Sequence, residues 1–272
     1  MPNLPFHLPV LSRIDLGLFR SPGPGFGNLL FPIARALVGQ KIVGGTFVEP
    51  TLRQLKIGTY IRNEKDKRTY DTLFKSRSSL EMKNWVRASF QRKQFENEAD
   101  NGASVICYQG LGGHFHDIEN QADVMRKYLK RVSRLPLTDL KYDVAMHIRA
   151  GDFAPPKTGV KSLNTQVPLD WYHTALIEAK KRLGKNDIKG LLFSDGDPQQ
   201  LIKNLKLEGF EPEPAGNALS SILAMSQSRL LIGSRSTFSL WGQYLGGSVG
   251  IWPDGFELSR YKAVDPDNDM FL

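Results

Sequence analysis

The chain has 272 residues, 40% apolar and 24% charged, with 36 Lys and Arg against 28 Asp and Glu. That is the composition of a soluble globular protein, long enough for one large domain or two modest ones. No window approaches the roughly 18 continuous apolar residues of a bilayer span, and a lone cysteine, Cys107, excludes an intrachain disulfide.

In chain order, Met1 to Ile14 is apolar but broken by Pro2, Pro5 and Pro9. With no basic start and no small-residue cleavage site, it does not read as a signal peptide. Ile14 to Phe19 is the first expected strand, and Arg20 to Gly27 is a Gly/Pro loop. A helix is expected over Asn28 to Val38 with Asn28 as N-cap, and a second strand over Ile42 to Val48. Residues 53–98 read as mostly helical, with Leu73, Phe74, Leu80, Trp85, Val86 and Phe90 as core contacts. A strand at Ser104 to Tyr108 holds Cys107, which reads as a buried structural thiol in a reducing cytoplasm. A helix over Ile118 to Val132 follows.

The Pro-containing stretch Leu135 to Lys141 reads as a connection, dividing the chain into 1–138 and 139–272. Beyond it come a strand from Tyr142 to Arg149, a helix from Trp171 to Leu183 and a strand from Gly190 to Phe193. A short helix at Leu219 to Ser226, a strand at Leu230 to Ile232, a helix at Thr237 to Leu245 and a strand at Val249 to Trp252 complete the second half. Alternation of strand and helix predicts an α/β protein with a parallel sheet in each half.

Charge is concentrated. Arg53 to Lys93 holds 12 Lys and Arg against 4 Asp and Glu, and 24 of each sign lie elsewhere, so this segment carries the whole excess of +8. It fits a solvated helical surface, or attraction to a nucleotide sugar or an anionic membrane surface. Nucleic acid is not expected, because no zinc spacing, basic zipper or RNA-binding aromatic motif accompanies the charge.

The chemistry gathers at three turns. His147-Ile-Arg149-Ala150-Gly151-Asp152 ends a strand, and strand alternation points His147 and Arg149 the same way. An imidazole, a permanent cation and an acid at a strand's carboxyl end suit a diphosphate, or else Arg149 and Asp152 pair to tie down a turn. Gly233-Ser234-Arg235-Ser236-Thr237-Phe238-Ser239 opens a helix whose unpaired N–H groups favour an anion; Ser236 and Thr237 either cap it or touch phosphate. Gly25-Phe26-Gly27-Asn28 lets backbone approach a ligand, but it is neither a dinucleotide fingerprint nor a P-loop. At Asp195-Gly196-Asp197, Asp195 fits a metal on a diphosphate or a bond to ribose or base, while Asp197 fits the N-cap of a helix starting at Pro198. His114-Phe115-His116 lacks a third metal ligand, and Asp265-x-Asp267-x-Asp269 ends before a calcium loop could close.

Three of these blocks, in this order, resemble the α-1,2-fucosyltransferases of glycosyltransferase family 11. Gly25-Phe26-Gly27-Asn28-Leu29-Leu30-Phe31 is similar to that family's Gly-Leu-Gly-Asn-Gln-Met-Phe. His147 to Phe153 is similar to His-x-Arg-Arg-Gly-Asp-Tyr, and Ser236 to Trp241 to Ser-Ser-Phe-Ser-Trp-Trp. The second arginine is Ala150 here, the glutamine is Leu29, the first tryptophan is Leu240, and an acid expected before the last block falls at Arg229. The resemblance implies a GT-B-like fold, with two Rossmann-like domains facing a central cleft and the donor held by the C-terminal half. It implies an inverting transfer of fucose from GDP-fucose to a glycan acceptor without a metal or other cofactor. Arg149 would neutralise the diphosphate, with Asp152 as general base. His147, Asp195, Ser236, Thr237, Phe238 and Ser239 would bind the donor, with Gly25, Gly27 and Asn28. The setting expected is surface polysaccharide synthesis on a lipid-linked acceptor, in the cytoplasm or at the inner membrane face. The rival readings are a metal-dependent transferase using Asp195 and Asp197, and a non-catalytic sugar-nucleotide or glycan-binding protein, motivated by Ala150 and Arg229.

Overall fold

The computed structural model describes residues 4–56, 61, 69–70, 73–99, 102–134, 142–150, 166–214, 217–255 and 268–272. The chain forms two compact units, Met1–Pro136 and Leu137–Leu272.

The first unit holds a four-stranded parallel sheet in the order β2 (Thr46–Phe47), β1 (Phe6–Val10), β4 (Val105–Gln109) and β3 (Lys93–Phe95). Its first strand therefore lies earlier than Ile14–Phe19, inside the Pro-broken opening. Pro9 is tolerated there for a geometric reason. The His7 carbonyl accepts from Val48 N–H, so Pro9, two residues on, turns its missing donor toward the same side, where short β2 has already ended. Ile14 to Phe19 instead forms a loop: Asp15 Oδ1 accepts the Gly17 N–H at 2.8 Å, and Gly17 takes φ +83°. A side-chain turn of this kind outcompetes strand pairing.

Helix α1 (Phe26–Val43) starts with Gly25, not Asn28, as its N-cap, and it absorbs the beginning of the second expected strand. Arg35 on α1 is buried and bonds Glu96 along with the carbonyls of Gln109 and Gly110, which ties the helix to the end of β4. Between 53 and 98 the described residues contain one helix of this size, α2 (Ser79–Ser89), opened by a Ser78–Glu81 capping box. Leu80, Val86 and Phe90 are exposed rather than core, whereas Leu73 and Phe74 are buried. A 3-10 turn (His114–Ile118) precedes α3 (Ala122–Val132).

The second unit follows the sequence reading closely. Its six parallel strands run β10 (Met270–Phe271), β9 (Val249–Trp252), β8 (Leu230–Ile232), β5 (Val144–Ile148), β6 (Gly190–Ser194), β7 (Phe210–Pro212). They are connected by α4 (Leu169–Leu183), α5 (Pro198–Asn204), α6 (Ala218–Met225) and α7 (Thr237–Gly246). The chain walks outward from β5 to β7, returns to β8 beside β5, and walks outward again. This is the doubly wound order, whose direction reverses between β5 and β8. Val144, Met146, Ile148, Leu192, Leu230 and Ile232 pack against Tyr172, Ala175 and Ala179 of α4. Strands covered on both faces read as continuous apolar runs, which is why they are visible in the sequence. Among the described residues no helix is long and apolar enough to cross a membrane.

The β8–α7 turn is packed against the core. A Cβ built on Gly233 would lie 2.1 Å from the ring of Trp252, which is fully buried. Gly233→Ala is expected to cost about 1–3 kcal/mol through overpacking, read as a lower urea midpoint; an unchanged midpoint would contradict this close approach.

Candidate functional site

The carboxyl ends of β5, β6 and β8 carry His147, Arg149, Asp195 and the turn leading to Ser236–Ser239. His147, next to last in β5, is 4% exposed. Its Nδ1 lies 2.5 Å from Ser239 Oγ and 3.0 Å from Ser234 Oγ, and its ring packs on Phe238 at 5.3 Å between centroids. A hydroxyl can donate or accept, so Nδ1 is satisfied in either imidazole tautomer. Ser239 Oγ also receives the Ser234 N–H at 3.4 Å. From the opposite side of the strand backbone, Tyr172 O–H donates to the His147 carbonyl at 3.4 Å. Burial dominates the titration of His147: despite the opposing pull of Asp195, and with Arg149 adding to the shift, its pKa falls to about 4. The imidazole is therefore a neutral rivet joining the end of β5 to the start of α7.

Arg149 and Asp195 stand abreast because β5 and β6 are parallel, with Ile148 paired to Ser194. Arg149 Nε lies 3.1 Å from Asp195 Oδ2, and Asp195 Oδ1 accepts the Ala150 N–H at 2.7 Å. Both side chains keep about a quarter of their surface exposed, 25% and 29%. Asp195 thus orients the cation in a manner the sequence did not indicate. Asp197 caps α5, accepting from Gln200 N–H at 3.1 Å, with Pro198 at the helix start, as the turn reading expected.

Helix α7 has Ser236 as N-cap, its hydroxyl accepting from Phe238 N–H at 3.2 Å, and no acidic residue in its first turn. Ser236, Thr237 and Phe238 are partly exposed, whereas Ser239 is fully buried. Ser239, expected to line the donor, faces inward and bonds His147. Asp152, with Gly151, lies outside the described residues.

In the first unit, Gly25 makes neither a conformational nor a steric demand for glycine, with φ −62° and nothing within 4 Å of a built Cβ. Gly27 and Asn28 lie in the first turn of α1, and the Asn28 N–H bonds the Gly25 carbonyl at 3.0 Å. Among the described residues no cluster of three or more His, Cys, Asp or Glu could hold a metal.

Sequence reasoning missed Ser234, Tyr172 and Glu213. The last follows β7, accepts from Ser221 O–H at 2.6 Å, and is pushed up to about 7 by burial, which outweighs that bond. The signal for Ser234 was its place at a strand end; nothing local marks Tyr172 or Glu213. Arg229, where the family pattern has an acid, pairs instead with Asp143, at 3.5 Å.

No family model matches the chain, and no curated protein matches it in sequence. Among solved structures it is similar to NodZ α-1,6-fucosyltransferase soaked with GDP-fucose, at 12% identity over 83% of this chain and 90% of that one, TM-score 0.44. It is also similar to POFUT1 in complex with GDP, at 14% identity over 100% and 99% of the two chains, TM-score 0.46. Similarity of this degree does not reach individual residues or activity.

The buried imidazole has a consequence for acid stability. The folded protein keeps His147 neutral down to about pH 4, while in the unfolded chain it takes up a proton near 6.5. Between those values the unfolded chain binds more protons, so His147 makes stability fall as pH falls. Urea unfolding across that window is expected to show His147→Gln losing less stability than wild type; parallel curves would contradict a neutral buried ring.

Proposed function

We propose that the second unit binds the diphosphate of a nucleotide sugar at the ends of β5 and β8, and that the protein is a metal-independent, inverting glycosyltransferase. The donor proposed is GDP-fucose and the acceptor a glycan hydroxyl. One observation carries the reading: neutral His147 fixes the start of α7 beside the strand end that bears Arg149, at the point where strand order reverses. Ligands of open α/β sheets bind at such a point. The donor identity draws its support from the three-block resemblance to family 11.

In this reaction the acceptor oxygen attacks the anomeric carbon as the bond from that carbon to the diphosphate oxygen breaks. GDP leaves with the bonding electrons, so negative charge grows on the diphosphate. Arg149 and the N-terminal N–H groups of α7 oppose that charge, and stabilisation directed at developing charge accelerates the step. His147 and Ser239 hold the helix start in place, and Asp195 aims Arg149. The acceptor proton requires a base; Asp152 remains the residue proposed. A metal-dependent route through Asp195 and Asp197 is disfavoured, since the first is engaged by Arg149 and Ala150 and the second caps α5.

Release of nucleoside diphosphate from GDP-fucose, GDP-mannose and UDP-sugars, with and without EDTA, tests the reading. GDP-fucose turnover is expected to survive EDTA, and Arg149→Ala to lower it about 100-fold or more. Turnover of another donor alone would remove the fucose assignment, and loss on chelation would remove the metal-independent mechanism.

A further inference from the structure

The positive surplus between Arg53 and Lys93 has no task in that reaction. Part of it lines a cavity of about 600 Å³ in the first unit, well within the range of small-ligand pockets. Arg53, Lys75, Arg77 and Arg131 contribute the cations, Glu49 and Glu81 the acids.

Both acids are engaged, and they share the single charge of Arg131. Buried Glu49 accepts from Tyr128 O–H at 2.5 Å and from Arg131 at 2.8 Å. Glu81 closes the capping box of α2 and takes the other arm of Arg131 at 3.1 Å. Arg77 is held differently. One terminal nitrogen donates to the Glu49 carbonyl at 3.1 Å, the other to Thr51 Oγ1 at 2.9 Å, and the guanidinium lies 5.7 Å from the centre of the Trp85 ring. Lys75 donates to the Arg131 carbonyl at 3.0 Å. Neutral acceptors and an aromatic face fix these cations in position, while the carboxylates of Asp15, Glu49 and Glu81 act on Arg77 from a distance. Burial depresses the pKa of Arg77 and outweighs those carboxylates; an incoming anion opposes that depression. The remaining walls combine the apolar surfaces of Tyr70 and Phe74 with the Ser76 hydroxyl, a mixture suited to a sugar ring.

We propose that this cavity binds a saccharide bearing an oxyanion, with Arg77 and Lys75 taking its carboxylate or phosphate. The saccharide part rests on the glycosyl-transfer reading; the anionic part stands on the cavity alone. Titration calorimetry of the full chain at low salt, with digalacturonate, glucose 6-phosphate, inorganic phosphate and neutral maltose, tests it. Saturable binding of either anionic sugar, absent for maltose and weakened about tenfold or more in Arg77→Gln and in Lys75→Gln, is the expected result. Whichever anionic sugar binds identifies carboxylate or phosphate as the group recognised. GDP is titrated alongside, circular dichroism reports whether the variants remain folded, and Lys75→Gln, which alters an exposed side chain, keeps the test available if Arg77→Gln unfolds. Anionic-sugar binding without any GDP binding would sustain the cavity and remove the transfer reading. Inorganic phosphate binding as tightly as glucose 6-phosphate would overturn the saccharide part. No binding of either anionic sugar, equal binding of maltose, or affinities unchanged in both variants would overturn the proposal.

Discussion

Burying an imidazole at the end of a strand is unfavourable unless its nitrogens find partners. At His147 two serine hydroxyls from one turn, Ser234 and Ser239, meet Nδ1. The rest of the second unit's site depends on this contact. It joins the carboxyl end of β5 to the start of α7, two elements that the doubly wound order makes neighbours but does not by itself align. With the ring neutral, the cation at the strand end is Arg149, paired with Asp195, and the helix start adds a partial positive charge. On the proposed reading this gives the diphosphate a fixed target, with little reorganisation on binding.

The two units solve similar problems with different chemistry. In the second, a hydrophobic sheet covered by helices positions the site through one buried polar contact. In the first, charge does the positioning: Arg35 gathers Glu96 and two carbonyls to fix α1 against β4, and Glu49 gathers Tyr128 and Arg131 beside the cavity. The Arg35 network is satisfied only in part, since one buried terminal nitrogen of Arg35 has no hydrogen-bond partner among the described residues. Arg77 and Lys75 stand out because their partners are neutral.

How much the sequence revealed follows from the same contrast. Strands β5, β6, β8 and β9 are buried runs flanked by long helices, so period and length located them. Strands β7 and β10 are edge strands of three and two residues, too short to carry a period. In the first unit Pro9 concealed a central strand whose neighbour stops before the missing donor matters, and Ile14 to Phe19 imitated a strand until the Asp15–Gly17 turn intervened. At the site, the place of His147, Arg149 and Ser236 to Ser239 was legible, but the division of labour was not. Ser236 and Ser239 carry the same hydroxyl; extended backbone at Ser236 turns it to the cap, while Ser239, inside the helix, reaches the imidazole. Asp195 as the partner of Arg149 required knowing that β5 and β6 pair in register, which is a fact about the sheet rather than either segment.

Hydrogen exchange with and without GDP tests the central claim most directly, because it locates binding without assuming turnover. The account predicts that GDP, in the presence of EDTA, slows amide exchange in the turn spanning 234–240 and at Arg149 and Ala150. Tight GDP binding that leaves these amides unprotected would contradict it.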